Sequence, residues 1–241
     1  MDNYLLPYLL IMLHLISGAF FLILINRKLD SSQAREQWTK FISYVILFNL
    51  IWNAKLFSDT LFITLAALIT VLCSFEWWKA IKMIRGTLGF AIGFILILMG
   101  FWKFLYLADS LILLTLFVVI LFDGSSQISG QLLGKNPLLP RISPSKTLEG
   151  LIGGILITLG TVFVVRSSFE GGWIELLGLS LGIMFFAFVG DLMASYVKRK
   201  AGLVIFSRIL PGHGGFLDRY DSLLMAGCAV FLFSLAKEVL G

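Results

Sequence analysis

The sequence predicts an all-α, polytopic integral membrane protein with about eight transmembrane helices. The chain has 241 residues, of which 59% are hydrophobic and 14% charged, and its mean hydropathy is +0.95. A soluble domain carries about 25% charged residues. Apolar runs recur along the whole chain, and several reach the roughly 20 residues that a helix needs to cross a hydrocarbon core. Phe occurs 22 times and Pro only 5 times, so the composition excludes an intrinsically disordered protein.

The apolar runs give the expected helices in chain order. They cover residues 4–25, 41–52, 56–75, 86–101, 105–122, 151–165, 173–190 and 222–240. The second run is short, which leaves open a helical hairpin that does not fully cross the membrane. The first run has no basic flank and no small-residue cleavage site, so we expect a retained helix and not a signal peptide.

Lys and Arg are distributed unevenly between the connecting segments. Of the 19 such residues, 15 lie in four alternate segments, which are 26–40, 76–85, 123–148 and 191–221. Because cytoplasmic loops are enriched in Lys and Arg, we expect all four segments in the cytoplasm and both termini outside. The net charge of +5 follows from this loop bias and does not indicate nucleic-acid binding.

Charged residues concentrate between positions 191 and 221. The segment contains D-x-x-x-S-x-x-K-R, then eleven residues, then P-G-H-G-G-x-x-D-R-x-D. Asp191 and Ser195 are one helical turn apart, and Asp218 and Asp221 can share a face of another helix. Carboxylates grouped in this way suit Mg²⁺, which takes oxygen ligands and shares them with substrate phosphates. The glycines around His213 let the backbone approach a ligand closely.

Structural explanations compete with a metal and phosphate site. The basic run 198–200 is typical of a topology signal at a membrane edge, and a lone His in a Gly-rich turn is more often structural than catalytic. The density and order of the charged set favour a functional site. Two acids within the apolar runs, Asp59 and Glu76, are interpreted as structural, and Glu76 is expected to pair with Lys79.

A second polar segment, 123–148, begins at Asp123 and contains G-Q-L-L-G-K, and S-P-S-K-T-L-E-G follows from position 143. Thr147 or Ser145 is expected to cap the following helix, with an acid in its first turn. Lys146 would then lie at a helix N-terminus, where phosphate is readily bound. An ordinary helix cap beside a solvated lysine explains these residues equally well.

Together the two segments resemble the phosphatidate cytidylyltransferases, or CDP-diacylglycerol synthases. The shared motifs are S-x-x-K-R, the spaced P-G-H-G-G-x-x-D-R-x-D and the upstream S-P-x-K-T-x-E-G, and they cover roughly residues 123–224. The resemblance implies a membrane enzyme that joins CTP and phosphatidate, or a similar lipid phosphate, to give CDP-diacylglycerol and pyrophosphate in phospholipid biosynthesis. It implies Mg²⁺ as cofactor and a place for a monovalent cation such as K⁺.

The resemblance also implies roles for single residues. The expected metal ligands are Asp191, Asp218 and Asp221. The residues expected to act in catalysis are Lys146, Ser195, Lys198, Arg199 and Asp218. The residues expected to bind substrate are Ser143, Thr147, His213, Gly214, Gly215 and Arg219.

These inferences give an expected organisation. Residues 1–122 would form N-terminal transmembrane helices, and residues 123–241 would form a C-terminal catalytic membrane region with cytoplasmic loops at 123–148 and 191–221. The expected partners are CTP, a lipid phosphate and membrane lipids, with no nucleic acid, and a homodimer stays open. The absence of a targeting peptide favours a bacterial inner membrane with the active site on the cytoplasmic side.

The sequence departs from the family pattern at two places. Val204 and Ile205 stand where the family usually has Lys-Asp, and Gln131 stands where it has Arg. A different lipid substrate, or compensation by Lys200 or Arg208, would account for the loss of charge. Two rival functions therefore stay open: a CTP-dependent lipid-alcohol kinase that transfers the γ-phosphoryl group, and a non-catalytic relative that binds lipid. The retained acids favour the cytidylyltransferase.

Overall fold

The computed structural model describes residues 2–27, 30–210 and 214–240. In these ranges the chain forms eight α-helices and one short β-hairpin, which confirms the all-α prediction. The helices are α1 Leu5–Asn26, α2 Ser31–Phe57, α3 Asp59–Ile81, α4 Thr87–Phe104, α5 Asp109–Leu133, α6 Leu148–Val164, α7 Trp173–Lys200 and α8 Leu217–Leu240. The hairpin consists of β1 Pro137–Leu139 and β2 Ser143–Thr147.

Six of the described helices are long and apolar enough to cross a membrane, namely α1, α3, α4, α5, α7 and α8. The remaining two helices occupy predicted positions but do not meet both criteria. Helix α6 is apolar and has only 17 residues. Helix α2 has 27 residues, but Asn49, Asn53 and Lys55 interrupt its apolar part.

The second helix is longer than the sequence suggested. The expected run began at residue 41, whereas α2 begins at Ser31 and adds a polar N-terminal part. Asp30 caps this part, because its side chain accepts a hydrogen bond of 2.8 Å from the backbone N–H of Gln33. Lys40 and Glu36 then form an ion pair at 2.5 Å across one helical turn. Caps and such pairs stabilise a helix without an apolar face.

Two of the expected polar loops are partly helical. Helix α5 continues past residue 122 to Leu133, and α7 continues past Gly190 to Lys200. The expected loops 123–148 and 191–221 therefore shorten to 134–147 and 201–216. The extension of α7 contains residues with good helix propensity and no proline, so its loss of hydropathy did not end the helix. Several predicted site residues consequently lie on helices and not in loops.

The β-hairpin was not predicted. Its strands pair antiparallel, with Pro137 opposite Thr147 and Leu139 opposite Ser143. Prolines prevent this segment from continuing as a helix, and Ser143 is extended because it precedes Pro144. The hairpin ends at the N-terminus of α6, where Thr147 Oγ1 accepts a hydrogen bond of 3.1 Å from Gly150 N–H. This contact confirms Thr147 as the helix cap.

Small residues let the helices approach closely. A Cβ atom at Gly190 in α7 would lie only 2.5 Å from the backbone oxygen of Asp221 in α8. Gly153 and Gly154 in α6 face serines of α5 in the same manner. Contacts between small residues are typical of helices packed in membranes. The contact at Gly190 brings the polar ends of α7 and α8 together, and this end of the bundle is called the site end below.

Candidate functional site

Most of the predicted site residues that the structure describes lie at the site end, where α5 and α7 contact β2 and α8 begins. Helix α7 carries Asp191 and Ser195, and the Ser195 hydroxyl donates a hydrogen bond of 3.3 Å to Asp191 Oδ1. This contact confirms the shared helix face expected from their spacing. Ser195 is buried, so its hydroxyl orients the carboxylate from the protein interior.

Lys146 of the hairpin forms an ion pair with Asp191 Oδ2. The two side chains are 22% and 29% exposed, so both are shielded but remain accessible to a ligand. The Lys146 ammonium also lies 4.6 Å from the centre of the Phe188 ring. A cation and a carboxylate in such surroundings stabilise each other, and separation without new partners would be costly.

Three carboxylates approach one another around this pair. Asp191 interacts electrostatically with both Asp123 of α5 and Asp221 of α8. Asp221 Oδ1 accepts a hydrogen bond of 2.8 Å from Ser222 N–H. Carboxylates held close together favour the binding of a cation, because its positive charge stabilises their ionised forms.

The donor set suits Mg²⁺ in its chemistry, because carboxylate oxygens are ligands that this ion prefers. Within residues 2–27, 30–210 and 214–240, no group of three His, Cys, Asp or Glu side chains is already arranged to hold a metal. The protein would therefore supply part of a coordination shell. Mg²⁺ commonly completes its shell with water and substrate phosphates.

Asp218 has different surroundings from Asp191. Its Oδ1 accepts a hydrogen bond of 2.7 Å from the Lys198 ammonium. Its Oδ2 accepts hydrogen bonds from the backbone N–H groups of Phe206 at 3.0 Å and Gly215 at 2.9 Å. The side chain is only 5% exposed. Asp218 thus folds the segment 201–216 against α8, and its role as a metal ligand stays a prediction.

The glycine-rich turn is described on both of its sides. Leu210 and Gly214, on either side of positions 211–213, exchange backbone hydrogen bonds of 2.8 and 3.3 Å. Gly214 has a φ of 99°, and a Cβ there would lie 2.8 Å from Asp218 Oδ2. Gly215 leaves similar space for Glu76. His213 lies outside the described residues, so its substrate role stays a prediction.

Glu76 has the structural role that was expected of it, but with partners that the sequence analysis did not predict. Its Oε1 accepts hydrogen bonds from Ser207 Oγ at 2.5 Å and Phe216 N–H at 3.1 Å, and its Oε2 accepts one from Leu217 N–H at 2.8 Å. The expected pairing with Lys79 is wrong, because Lys79 lies 4.2 Å from the centre of the Phe75 ring.

Glu76 is 1% exposed and binds the first N–H groups of α8. An anionic group is favourable at a helix N-terminus. The signal that could have indicated these buried partners is an acid within an apolar run, since such a residue is costly without partners. The other acid interpreted as structural, Asp59, pairs with Lys55 at 2.5 Å, as a structural role requires.

Arg199 connects the hairpin to Leu203, just after the end of α7. Arg199 Nε donates a hydrogen bond of 3.2 Å to Ile142 O, and its Nη1 donates one of 3.3 Å to Leu203 O. Ser143 is buried at the adjoining end of β2. Thr147 is occupied as the cap of α6. These contacts give Arg199 and Thr147 a scaffolding role. The expected catalytic role of Arg199 and the expected substrate contacts of Ser143 and Thr147 stay predictions.

The departure from the family pattern lies at the surface of the same segment. Val204 is 72% exposed and Ile205 is 37% exposed, while the following Phe206 is buried. Of the two candidates for compensation, Lys200 lies 5.1 Å from the centre of the Tyr196 ring. Arg208 is exposed. An added side chain at position 204 would therefore face the surroundings and not the core.

Comparison with known proteins adds evidence independent of this geometry. The sequence model of the cytidylyltransferase family matches residues 5–236. A phosphatidate cytidylyltransferase of Helicobacter pylori (strain ATCC 700392 / 26695) is 42% identical over 125 residues, which cover 52% of this chain and 47% of that protein. One of Staphylococcus aureus (strain COL) is 42% identical over 117 residues, which cover 47% and 44%. The matches span about half the length of these relatives.

Proposed function

Because the chain belongs to the cytidylyltransferase family, we propose that it transfers the cytidylyl group of CTP to phosphatidate in the membrane. The products are CDP-diacylglycerol and pyrophosphate, and the reaction serves phospholipid biosynthesis. The observation that carries this proposal is the meeting of Lys146, Asp191 and Asp221 at one end of an apolar bundle. Cations and carboxylates together suit a metal with phosphates, and the surrounding helices suit a lipid.

The proposed reaction joins two polyanions. An oxygen of the lipid phosphate attacks the α-phosphorus of CTP, a new P–O bond forms, and the bond to the β-phosphate breaks as pyrophosphate leaves. The attacking oxygen is already anionic at neutral pH, so no side-chain nucleophile is required. Catalysis then depends on positioning and charge stabilisation. Lys146 and Lys198 are the cations that would exchange a carboxylate partner for a phosphate oxygen.

We assign the Mg²⁺ ligands to Asp191 and Asp221, with Asp218 as the third predicted acid and a monovalent cation such as K⁺ as a further expectation. When bound, the metal neutralises charge on the triphosphate. Ser195 orients the carboxylate of Asp191. Asp218 and Glu76 hold the segment 201–216 and the start of α8 in position. Arg219 and the glycine-rich turn complete the proposed substrate contacts.

The proposed location is the bacterial inner membrane, with the site end in the cytoplasm. The uneven distribution of Lys and Arg, with 15 of 19 in four alternate segments, supports this orientation. Contacts between α3 and the segment 201–216 place two of these segments at one end. The division into 1–122 and a catalytic region 123–241 is part of the same proposal.

The test is incubation of the purified protein with labelled CTP, Mg²⁺ and phosphatidate, followed by identification of every product. The proposal expects a CDP-lipid and pyrophosphate in equal amounts. In a parallel incubation with a lipid alcohol in place of phosphatidate, formation of lipid phosphate and CDP would instead identify a kinase. No conversion of CTP by protein that still binds phosphatidate would favour the non-catalytic relative.

A further inference from the structure

The chain that follows α7 turns back towards the bundle. Helix α7 has 28 residues, or about 40 Å at 1.5 Å per residue, which exceeds the roughly 30 Å of a hydrocarbon core. Beyond its end, Ser207 and the first N–H groups of α8 bind Glu76 of α3. Glu76 lies five positions before Ile81, the last residue of α3, which is about 7.5 Å short of that helix end. The segment 203–209 therefore folds back along α3.

The position of Glu76 along α3 gives the depth of this segment in the membrane. Helix α3 begins at Asp59, whose charged side chain is 70% exposed and requires a polar layer. Glu76 is 17 positions further along the helix, or about 26 Å, whereas a hydrocarbon core is about 30 Å thick. Trp78 is 48% exposed, and Trp is enriched at membrane–water boundaries. Both observations favour a level between the acyl chains and the headgroups at the site end.

The segment 203–209 presents apolar side chains to its surroundings. Its middle faces inward, since Phe206 is buried and Ser207 Oγ donates a hydrogen bond to Glu76. The residues on either side face outward, where Val204 is 72% exposed and Ile209 is 51% exposed. Exposed apolar surface of this kind marks an interaction site when it is continuous with other apolar surface. At this depth the material available to cover it is lipid.

Cations lie around this apolar segment. Five exposed ones lie on the segment or on the adjoining ends of α3, α4 and α7, namely Lys79, Lys82, Arg85, Lys200 and Arg208. Within the ranges that the structure describes, none of the five forms an ion pair with an acid. Three of the ammonium groups instead lie 4.2–5.1 Å from the centre of an aromatic ring. Such lysines lay their apolar stems along the protein and keep the charged group available for a headgroup.

An anionic lipid surface fits both features of the segment. Its headgroups pair with the cations, and its acyl carbons cover the apolar side chains. A second copy of the chain fits less well, because a two-fold contact through this segment would bring the same cations together. Open water would solvate the cations but would leave Val204 and Ile209 uncovered.

We propose that the segment 203–209 is an interfacial anchor, in which Val204 and Ile209 insert into the leaflet at the site end and the surrounding cations bind its anionic headgroups. The partner is the lipid of the membrane and not the substrate, so the anchor does not depend on catalysis. Val204 then has a physical role in its departure from the family pattern, because the usual lysine would keep its charge in water. The anchor also supports the site, since Phe206 N–H, between the two inserted residues, binds Asp218.

The first experiment measures the depth of the segment in the full-length protein. Val204→Cys and Ile209→Cys are each labelled in detergent with an environment-sensitive fluorophore. The labelled proteins are reconstituted, without CTP or phosphatidate, into vesicles of phosphatidylcholine and phosphatidylglycerol. A quencher on the upper acyl chain of a lipid should reduce emission from both labels about as strongly as from a label in Phe75→Cys. Phe75 is the reference because it is 53% exposed and precedes Glu76 on α3.

Lys135→Cys is the control outside the membrane. Lys135 is exposed and lies beyond the end of α5, so an aqueous quencher should reach its label and the lipid quencher should not. Labels at 204 and 209 that behave like the label at 135 would overturn the anchor. Labels that are shielded from water, escape the lipid quencher and respond to protein density would reveal a contact between copies, and this result would also overturn it.

The second experiment removes part of the apolar contact. Val204→Ser should lower lipid quenching of a label at position 209 several-fold and should accelerate hydrogen exchange at the Phe206 amide in vesicles. Val239→Ser is the matched control, because Val239 is 76% exposed and lies at the opposite end of the bundle on α8. Wild-type quenching and exchange in Val204→Ser would contradict the insertion.

The third experiment tests the headgroup contact. In the wild-type protein, the Phe206 amide should exchange several-fold more slowly in vesicles that contain phosphatidylglycerol than in phosphatidylcholine alone. Lys79→Gln combined with Lys82→Gln should reduce this difference, and so should added salt, which screens exposed charges. Lys237→Gln should retain it, because Lys237 lies at the other end of the bundle and pairs with Glu175. Equal exchange of the wild-type amide in both lipids would overturn the role of the cations.

Discussion

At the scale of single residues, the site depends on how each carboxylate is partnered. Asp191 faces a cation from another element and two other acids, whereas Asp218 is enclosed by Lys198 and two backbone N–H groups. The sequence motif presents the two acids as equivalent. The two acids differ in their surroundings, because Asp191 is the more accessible to a ligand and Asp218 is hydrogen-bonded by residues close to it in sequence. Substitution of each should therefore have a different signature.

Asp191→Asn should lower turnover by at least roughly 10²-fold, or about 2–3 kcal/mol of transition-state stabilisation, because it removes a metal-binding charge with little change in shape. The measurement is the rate of CDP-lipid formation over a range of Mg²⁺ concentrations. Asp59→Asn is the matched control, since that acid also pairs with a lysine, Lys55, but at the opposite end of the bundle. Near-normal turnover of Asp191→Asn at ordinary Mg²⁺ would remove the residue from the site.

Asp218→Asn should lower turnover to a similar degree and also loosen the segment 201–216. The amide keeps one acceptor oxygen for the three donors that Asp218 now accepts. Hydrogen exchange at the backbone amides of Phe206 and Gly215 should become faster, whereas Asp191→Asn should leave both amides protected. Unchanged exchange in Asp218→Asn, together with a loss of turnover, would assign the residue to the metal alone.

At the scale of elements, α3 fixes the start of α8 through Glu76. Glu76→Gln should destabilise the protein by about 1–3 kcal/mol, because one amide oxygen cannot satisfy Ser207, Phe216 and Leu217 and buried donors are left without partners. Thermal unfolding in detergent measures this change, and limited proteolysis reports the segment 201–216. The control is Glu175→Gln, whose exposed acid pairs with Lys237 and should contribute little. Equal melting temperatures for the two variants would contradict the anchoring role.

The positions of the helices could be predicted from the sequence, but several of their ends could not. An apolar run identifies a membrane helix, whereas the polar continuation of α5 past Asp123 and of α7 past Asp191 carries no such signal. The contact of Ser195 with Asp191 was predictable because one helical turn determines it. The pair of Lys146 with Asp191 and the contacts of Glu76 join elements far apart in sequence, so local spacing could not reveal them.

The exposure of positions 204 and 205 also determines whether the charged residues typical of the family can be restored there. Val204→Lys should leave stability unchanged, because the side chain faces the surroundings, and should raise activity on phosphatidate if this position contacts a phosphate. Ile205→Asp should destabilise the segment, because Ile205 lies close to Gly214 and the acid would be near Asp218. Thermal unfolding and CDP-lipid formation measure both effects. Loss of folding in Val204→Lys would show that position 204 is packed.

At the scale of the whole molecule, the proposed orientation puts all four basic segments on the cytoplasmic side of the membrane. Single cysteines at positions 30, 140 and 205 should all react with a membrane-impermeant thiol reagent from the cytoplasmic side, and a cysteine at position 172 should react from the outside. The two native cysteines are buried, so they give little background. Labelling of position 140 or 205 from outside would refute both the orientation and the use of cytoplasmic CTP.

In the ion pair between Lys146 and Asp191, each side chain occupies the position that a ligand of the other would take. If the proposed function holds, a divalent cation at Asp191 would displace the ammonium, and the freed ammonium would become a partner for a triphosphate. Each ligand therefore lowers the cost of binding the other, and thermodynamic linkage requires the effect to be equal in both directions. Metal and nucleotide should therefore bind cooperatively. The hairpin would couple them, because it carries Lys146, whose ammonium changes its partner from Asp191 to a phosphate.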